Sequence, residues 1–470
     1  MSQQLTAVRA RWTLLSRPGG GLEATEGVTV LVRGNRIADV VRRPFDGTAD
    51  RRIELPGGVL LPGFVNLHNH AINGPIFRGI VDDVVEEDRP GVVADNIVYS
   101  LLLPLGDLAG QVLSDDELLA VYRLAMLELL RSGTTSVLDM PRAAHHWMLE
   151  AARELGLRAF AAPYIFSSPG RGVDGAGHPI YVDIDEDASL EAALDLAEKY
   201  DEGPGGRIRV GFGPHATDTC SPRLLRRIAD LARERETFVS IHVAQSRLEV
   251  DEAKRRHGGT PVEYLEDVGL LGPRTVAAHC VYVEDRDLAL LRDSGTTVAH
   301  CPLTFARSGV TVSLDRFRRH RVHAGIGTDA YSFDYLAELR AAGFVAKLTS
   351  GDSGAATAET LLRAATETGA AALADDLGTI APGQSADVVG VDLTAPHVQP
   401  VRDPMRNLVW NATSADVSLV MVDGRVLMKG GEVIGVDEHR IVTEAATAVD
   451  RLWRQAEVAG VLPALERSPA

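Results

Sequence analysis

The chain has 470 residues, 45% hydrophobic and 24% charged, the balance of a globular protein with a large core and more than one domain. Its 48 basic and 65 acidic residues leave a net charge of −17, which disfavours nucleic acid and anionic membrane, both of which need a basic surface. No run reaches the apolar length of a membrane span, Met1-Ser2-Gln3-Gln4 opens no secretory signal, and Cys220, Cys280 and Cys301 form neither a CxxC pair nor a disulfide framework, so the expected compartment is the cytoplasm.

Residues 8–60 read as short strands and turns: Val28–Val32 is β-rich and Gly34-Asn35 marks a turn. Gly58–Leu67 then forms an apolar run that ends on His68-Asn69-His70. From about residue 61 to 380, strand-like runs alternate with amphipathic helical stretches, for example Thr135–Asp139 before Ala151–Leu155 and Arg209–Gly213 before Leu224–Ile228. Further strands are expected at Thr237–Ile241, Thr275–Ala278, Thr297–Ala299 and Ala324–Gly327. About eight such units predict an α/β chain folded as a (β/α)8 TIM-like barrel. Strand patterning returns at Ala386–Val391 and Ser418–Met428, and a helix is expected from Ile441 to Val458. The expected organisation is therefore 1–60 and 383–440 as two parts of one small β-sandwich domain, 61–382 as the catalytic barrel, and 441–470 as a helix and tail. Gly170–Gly177 reads as a glycine-rich loop over the barrel mouth.

Residues two apart on a strand share a face, so His68 and His70 project together. His215, His242, His279 and Asp329 also fall at predicted strand ends. In a parallel barrel those ends open on one face, so residues distant in sequence converge. Imidazoles and a carboxylate with one open position suit Zn²⁺, Fe²⁺, Co²⁺ or Mn²⁺, and such an ion turns water into hydroxide near neutral pH. Asp329 can accept the proton released. The pattern predicts a metal-dependent hydrolase.

Several blocks carry a family resemblance. Leu61–His70, Arg78-Gly79 with Asp82-Asp83, Gly133–Met140, Gly213-Pro214-His215-Ala216, His300-Cys301-Pro302 and Gly327-Thr328-Asp329 resemble the amidohydrolase superfamily, in the branch of cytosine deaminase, guanine deaminase and triazine hydrolases. The resemblance implies His68, His70, His242 and Asp329 as ligands of a mononuclear site. It implies His279 as a substrate-polarising or proton-transferring group, and a homo-oligomer of two or more copies.

The sequence departs from that branch at Gln245, where its deaminases carry a glutamate three residues after the third histidine. Glutamine orients and donates but does not titrate. A heteroaromatic ring needs that proton more than a carbonyl does. The departure resembles phenylurea and molinate (thiocarbamate) hydrolases. The leading expectation is therefore metal-hydroxide cleavage of a C–N or C–S bond in a urea, carbamate or thiocarbamate, as in xenobiotic degradation. The alternative is an aminohydrolase or dechlorinase of a purine, pterin, pyrimidine or s-triazine. A catalytically dead scaffold is the third reading, and it sits poorly with a full ligand set. Catalytic groups are expected at Asp329, His279 and Gln245. An apolar small-molecule substrate is expected to meet His215, His300, Phe77 and Phe305.

Overall fold

A computed structural model describes residues 4–17, 20–43, 45–80, 97–142, 145–175, 178–374 and 376–462. Asp82 and Asp83 of the second motif, and Ala176-Gly177 of the glycine-rich stretch, lie outside the described residues.

Eight parallel strands carry the fold: Phe64–Asn69 (β1), Thr134–Asp139 (β2), Arg158–Ala161 (β3), Ile208–Val210 (β4), Val239–Val243 (β5), Thr275–His279 (β6), Thr297–His300 (β7) and His323–Ile326 (β8). They pair as two half-sheets, β4-β3-β2-β1 and β5-β6-β7-β8. Parallel bridges join the halves at both seams, Phe212 to Val239 and Asn69 to Asp329. The strands are buried almost throughout, as parallel strands covered on both faces require. Val239, Ile241 and Val243 of β5 pack in one cluster with Leu265 and Leu288 of the covering helices. A second cluster gathers Leu138 of β2, Phe160 of β3, Val276 of β6 and Phe238, the residue before β5. Each such side chain contributes about 1.5–3 kcal/mol on full burial.

Both ends of the chain build one hydrogen-bonded nine-stranded mixed sheet, and one core cluster gathers Val30 and Val32 with Leu419 and Met421 from its two chain ends. The strand Arg51–Pro62 explains this. One edge pairs in parallel with Leu5–Ser16 and the other antiparallel with Val388–Asp392, leaving no break between the two contributions. One residue later the same strand becomes β1. That residue must be glycine, because a Cβ on Gly63 would lie 2.0 Å from Oγ1 of Thr135.

A buried ion pair ties the sheet to the strand ring. Arg158 of β3 donates from Nε and Nη2 to Asp387 at 2.9 and 3.3 Å, and from Nη1 to the Gly206 carbonyl at 2.9 Å. The C-terminal helix Glu438–Val458 packs on the helix Asp115–Arg131, and Trp453 Nε1 donates to the Ile76 carbonyl at 2.9 Å. Gly170–Val173 is a strand paired with Pro179–Tyr181, where a loop was expected. No helix among the described residues is long and apolar enough to cross a membrane.

Candidate metal centre

The carboxyl ends of β1, β5 and β6 and the turn after β8 bring His68, His70, His242, His279 and Asp329 together, all buried. The first and last of these segments are laced tightly. Asp329 N–H donates to the His68 carbonyl and His70 N–H to the Asp329 carbonyl, each at 3.0 Å. Asn66 and Asn69 both donate from Nδ2 to Thr328 Oγ1, at 2.7 and 2.9 Å, and Thr328 N–H donates to Asn66 Oδ1. Gly327 permits the approach, since a Cβ there would sit 2.8 Å from His68 backbone atoms. His279 and Asp329 are held at φ +77° and +57°, a left-handed conformation rare outside glycine and concentrated at functional sites.

The ring nitrogens show what this cluster is built for. His70 Nδ1 lies 3.2 Å from the Met140 carbonyl and His242 Nδ1 lies 2.6 Å from the His215 carbonyl, so each Nδ1 is the donor. Both Nε2 atoms then carry lone pairs, yet they face each other at 3.2 Å. Among the described residues His68 has no hydrogen-bond partner at either nitrogen. Asp329 Oδ1 lies 3.7 and 3.5 Å from Nε2 of His68 and His70, and Oδ2 lies 3.9 Å from His279 Nε2. Converging lone pairs around a carboxylate repel unless a cation sits among them. The donor set therefore fits a divalent ion of the borderline kind.

Burial, reinforced by the neighbouring imidazoles, holds His68 and His279 well below the usual imidazole range. Burial takes His70 down to about 3 and His242 to about 4. All four are thus neutral and free to ligate at physiological pH. Burial raises Asp329 to about 7, a shift that a nearby cation opposes.

A cleft opens on the cluster. His215, Gln245, Phe305, Tyr164, Tyr331 and Arg142 line it. His215 serves the site twice: its carbonyl fixes His242, and its ring stacks on Phe166 at 4.9 Å. Phe305 meets the His279 ring edge-on at 4.9 Å. Gln245 precedes the helix Arg247–His257, whose Ser246 cap accepts from Glu249 N–H. The Glu249 carboxylate reaches back to accept the N–H groups of Ala244 and Gln245 at 3.1 and 2.8 Å, and Gln245 Nε2 is buried with no partner among the described residues.

Two expected substrate contacts are not in the cleft. Phe77 is fully buried in the main core, because the helix Asn73–Phe77 folds back from β1 and turns it inward. His300 ends β7 packed edge-on to Phe317, 6.1 Å away, with neither nitrogen partnered and burial holding it near 3. Conversely, Tyr164, Arg142 and the Asn66–Asn69–Thr328 lacing carried no recognisable local signal, because their partners are distant in sequence.

These features define a class: a parallel α/β protein with a buried metal-binding centre at its strand ends. The chain belongs to the amidohydrolase family, whose model matches residues 59–427. It is 35% identical over 433 residues to the 5'-deoxyadenosine deaminase of Methanothermobacter thermautotrophicus, covering 90% of this chain and 94% of the relative. It is 32% identical over 448 residues to a 5-methylthioadenosine/S-adenosylhomocysteine deaminase of Pelotomaculum thermopropionicum, covering 92% and 96%. An adenosine deaminase from Xanthomonas campestris, solved with bound zinc, matches with a TM-score of 0.84 and 26% identity over 96% of this chain and 98% of that one. None of the three is a phenylurea or thiocarbamate hydrolase. The likeness moves the balance from the urea and thiocarbamate expectation to the heterocyclic alternative, and it gives C–S cleavage and xenobiotic degradation no support.

Proposed function

We propose that this chain is a metal-dependent aminohydrolase that removes an exocyclic amine from a purine-type ring of a nucleoside-like small molecule. The observation that carries the reading is the pair of opposed Nε2 atoms beside Asp329, in a chain whose relatives are named as adenosyl deaminases. In this reading residues 61–382 work as a closed (β/α)8 barrel, and the terminal sheet supports it.

His68, His70, His242 and Asp329 would hold the ion, and zinc, cobalt, iron or manganese all suit these donors. When bound, the ion supplies Lewis-acid activation of water. The protein's own groups do the rest. Asp329 accepts the proton released by the attacking water at a carboxylate oxygen and returns it to the leaving amine. His279, whose Nε2 lies 3.9 Å from Asp329 Oδ2, polarises the reacting centre of the substrate. The unpartnered Gln245 amide donates to a ring nitrogen without transferring a proton. Phe305 and Tyr331 flank the ring and keep water from the reacting centre.

One observation favours a second reading. Gln245 fits an acyl C–N substrate, a urea or carbamate, because a carbonyl needs no ring protonation. Zinc-loaded enzyme assayed with adenosine, 5'-deoxyadenosine, methylthioadenosine and N-aryl ureas separates the two. Ammonia release from the adenosyl compounds is the expected result. Turnover confined to the ureas overturns the aminohydrolase assignment.

A further inference from the structure

Glu249 stands where a helix cap would close, but its carboxylate bonds elsewhere. The helix Arg247–His257 already has its cap, because Ser246 Oγ accepts from Glu249 N–H at 3.1 Å. A glutamate three residues past a serine cap ordinarily closes a reciprocal box on the cap residue's own N–H. Glu249 reaches one and two residues further upstream. Its Oε1 accepts from Ala244 N–H at 3.1 Å and its Oε2 from Gln245 N–H at 2.8 Å. Thr217 donates its hydroxyl to Oε1 at 2.6 Å and so aims the fork from the neighbouring loop. Two successive N–H groups converging on one anion form a backbone nest, and here the chain supplies the anion itself.

Glu249 is fully buried. Burial and the nearby Asp218 push its carboxyl up, and its three donors pull it back. A glutamate that served the helix alone could stay in water. The segment it holds is itself strained: Ala244 has φ +50°, a conformation that persists outside glycine only where the surroundings over-determine it. Cys280 and Tyr282, just past β6, donate their N–H groups to the Val243 and Ala244 carbonyls, each at 3.0 Å, while Glu249 holds the amides. Gln245 lines the cleft and Glu249 does not. A neutral amide that acts only by donating depends on its placement, and a shift of about 1 Å can cost about 10²-fold in rate. We propose that Glu249 is a positioning residue for Gln245: its carboxylate fork fixes the backbone from which the Gln245 side chain enters the cleft. That Gln245 meets the substrate rests on the function proposed above; that Glu249 sets its place does not.

A double-variant cycle tests the assignment, with kcat/KM measured on whichever adenosyl or urea substrate the zinc-loaded enzyme turns over. Glutamine offers one acceptor oxygen where the fork needs two, so Glu249→Gln should lower kcat/KM by about 10- to 100-fold. In a Gln245→Ala background the same substitution should lower it by less than about threefold, because no side chain is left to misplace. Residue-resolved amide hydrogen exchange gives a readout free of catalysis. Glu249→Gln should speed exchange at Ala244 and Gln245 by about tenfold or more relative to the His242 N–H, which donates to the His215 carbonyl. The rise in thermal midpoint on adding zinc should be the same in Glu249→Gln as in wild type. If Glu249→Gln fails to fold, Thr217→Val removes only the hydroxyl that aims Oε1 and replaces it in every arm. Equal losses of kcat/KM with and without the Gln245 side chain overturn the proposal, as does unchanged exchange at the two amides. A lost zinc shift overturns it too, by placing Glu249 behind the metal centre instead. Turnover confined to ureas retires the aminohydrolase reading and leaves the cycle intact; in a protein inactive on every substrate, exchange alone decides.

Discussion

Replacing His242 should abolish the stabilisation that zinc gives this protein. Its Nε2 faces His70 Nε2 at 3.2 Å with both Nδ1 atoms committed to carbonyls, so the pair needs a cation between them. At free zinc 100 times its dissociation constant, binding to the native state stabilises by about 2.7 kcal/mol. Unfolding entropy of about 2.1 cal/mol/K per residue gives roughly 1 kcal/mol/K for a chain of this length, so the midpoint rises about 3 °C. Loss of a residue that merely supports a ligand lowers affinity about 10–100-fold, and loss of the ligand itself should exceed that. The same zinc then stands near or below the variant's dissociation constant and contributes about 0.4 kcal/mol or less, under about 0.5 °C. The assay is a thermal scan of chelator-stripped protein with and without zinc, for wild type, His242→Ala and His300→Ala. His300 is the control: its substitution lowers the midpoint by leaving a cavity but should keep the zinc shift of about 3 °C, because it belongs to neither group of side chains placed to share an ion. A full zinc shift in His242→Ala, or its disappearance in His300→Ala, refutes the reasoning.

Gln245→Glu restores a titrating group to the cleft and should raise kcat/KM for adenosyl substrates by about 10²-fold or more, the scale of general acid catalysis; an unchanged or lower value in steady-state assays would show that another group already moves that proton. Arg158→Met leaves Asp387 buried and unpaired, so chemical denaturation should show a loss of about 3–5 kcal/mol, largely recovered by adding Asp387→Asn. Burial raises Asp139 to about 8, its one bond from Ala71 N–H opposing the shift. The folded chain thus keeps a proton that the unfolded chain releases near pH 4; this contribution is complete below pH 4 and is lost as the pH climbs towards 8, by up to about 1.4 kcal/mol per unit. Asp139→Asn should therefore lose less stability than wild type between pH 5 and 8, and parallel midpoint curves would count against a neutral Asp139. Asp329→Asn should cut turnover by at least about 10²-fold while zinc content, measured by elemental analysis, reports separately on its role in holding the ion.

The metal centre was legible from sequence because its signals are local. An HxH at the end of an apolar run puts two imidazoles on one side, and single residues closing β5, β6 and β8 need only the parallel arrangement to meet them. What escaped is held by long-range contact. The Asn66 and Asn69 amides reach a threonine some 260 positions away, and nothing near either residue announces that bond. Phe77 and His300 show the opposite failure: both stand next to motif residues, but a helix reversal and a core-packed strand end turn them from the cleft. The pairing of Arg51–Pro62 on both edges left no local signal, because it depends on both chain ends meeting.

The run of backbone from Arg51 through Gly63 into His68 has a practical corollary. Scaffold and chemistry share one uninterrupted ribbon, with the late-arriving Val388–Asp392 zipped along its edge. A gene trimmed to the ring of strands would sever that ribbon a few residues upstream of the first imidazole and strip away the zip that steadies it. Minimised versions of this enzyme should therefore leave both ends of the polypeptide whole.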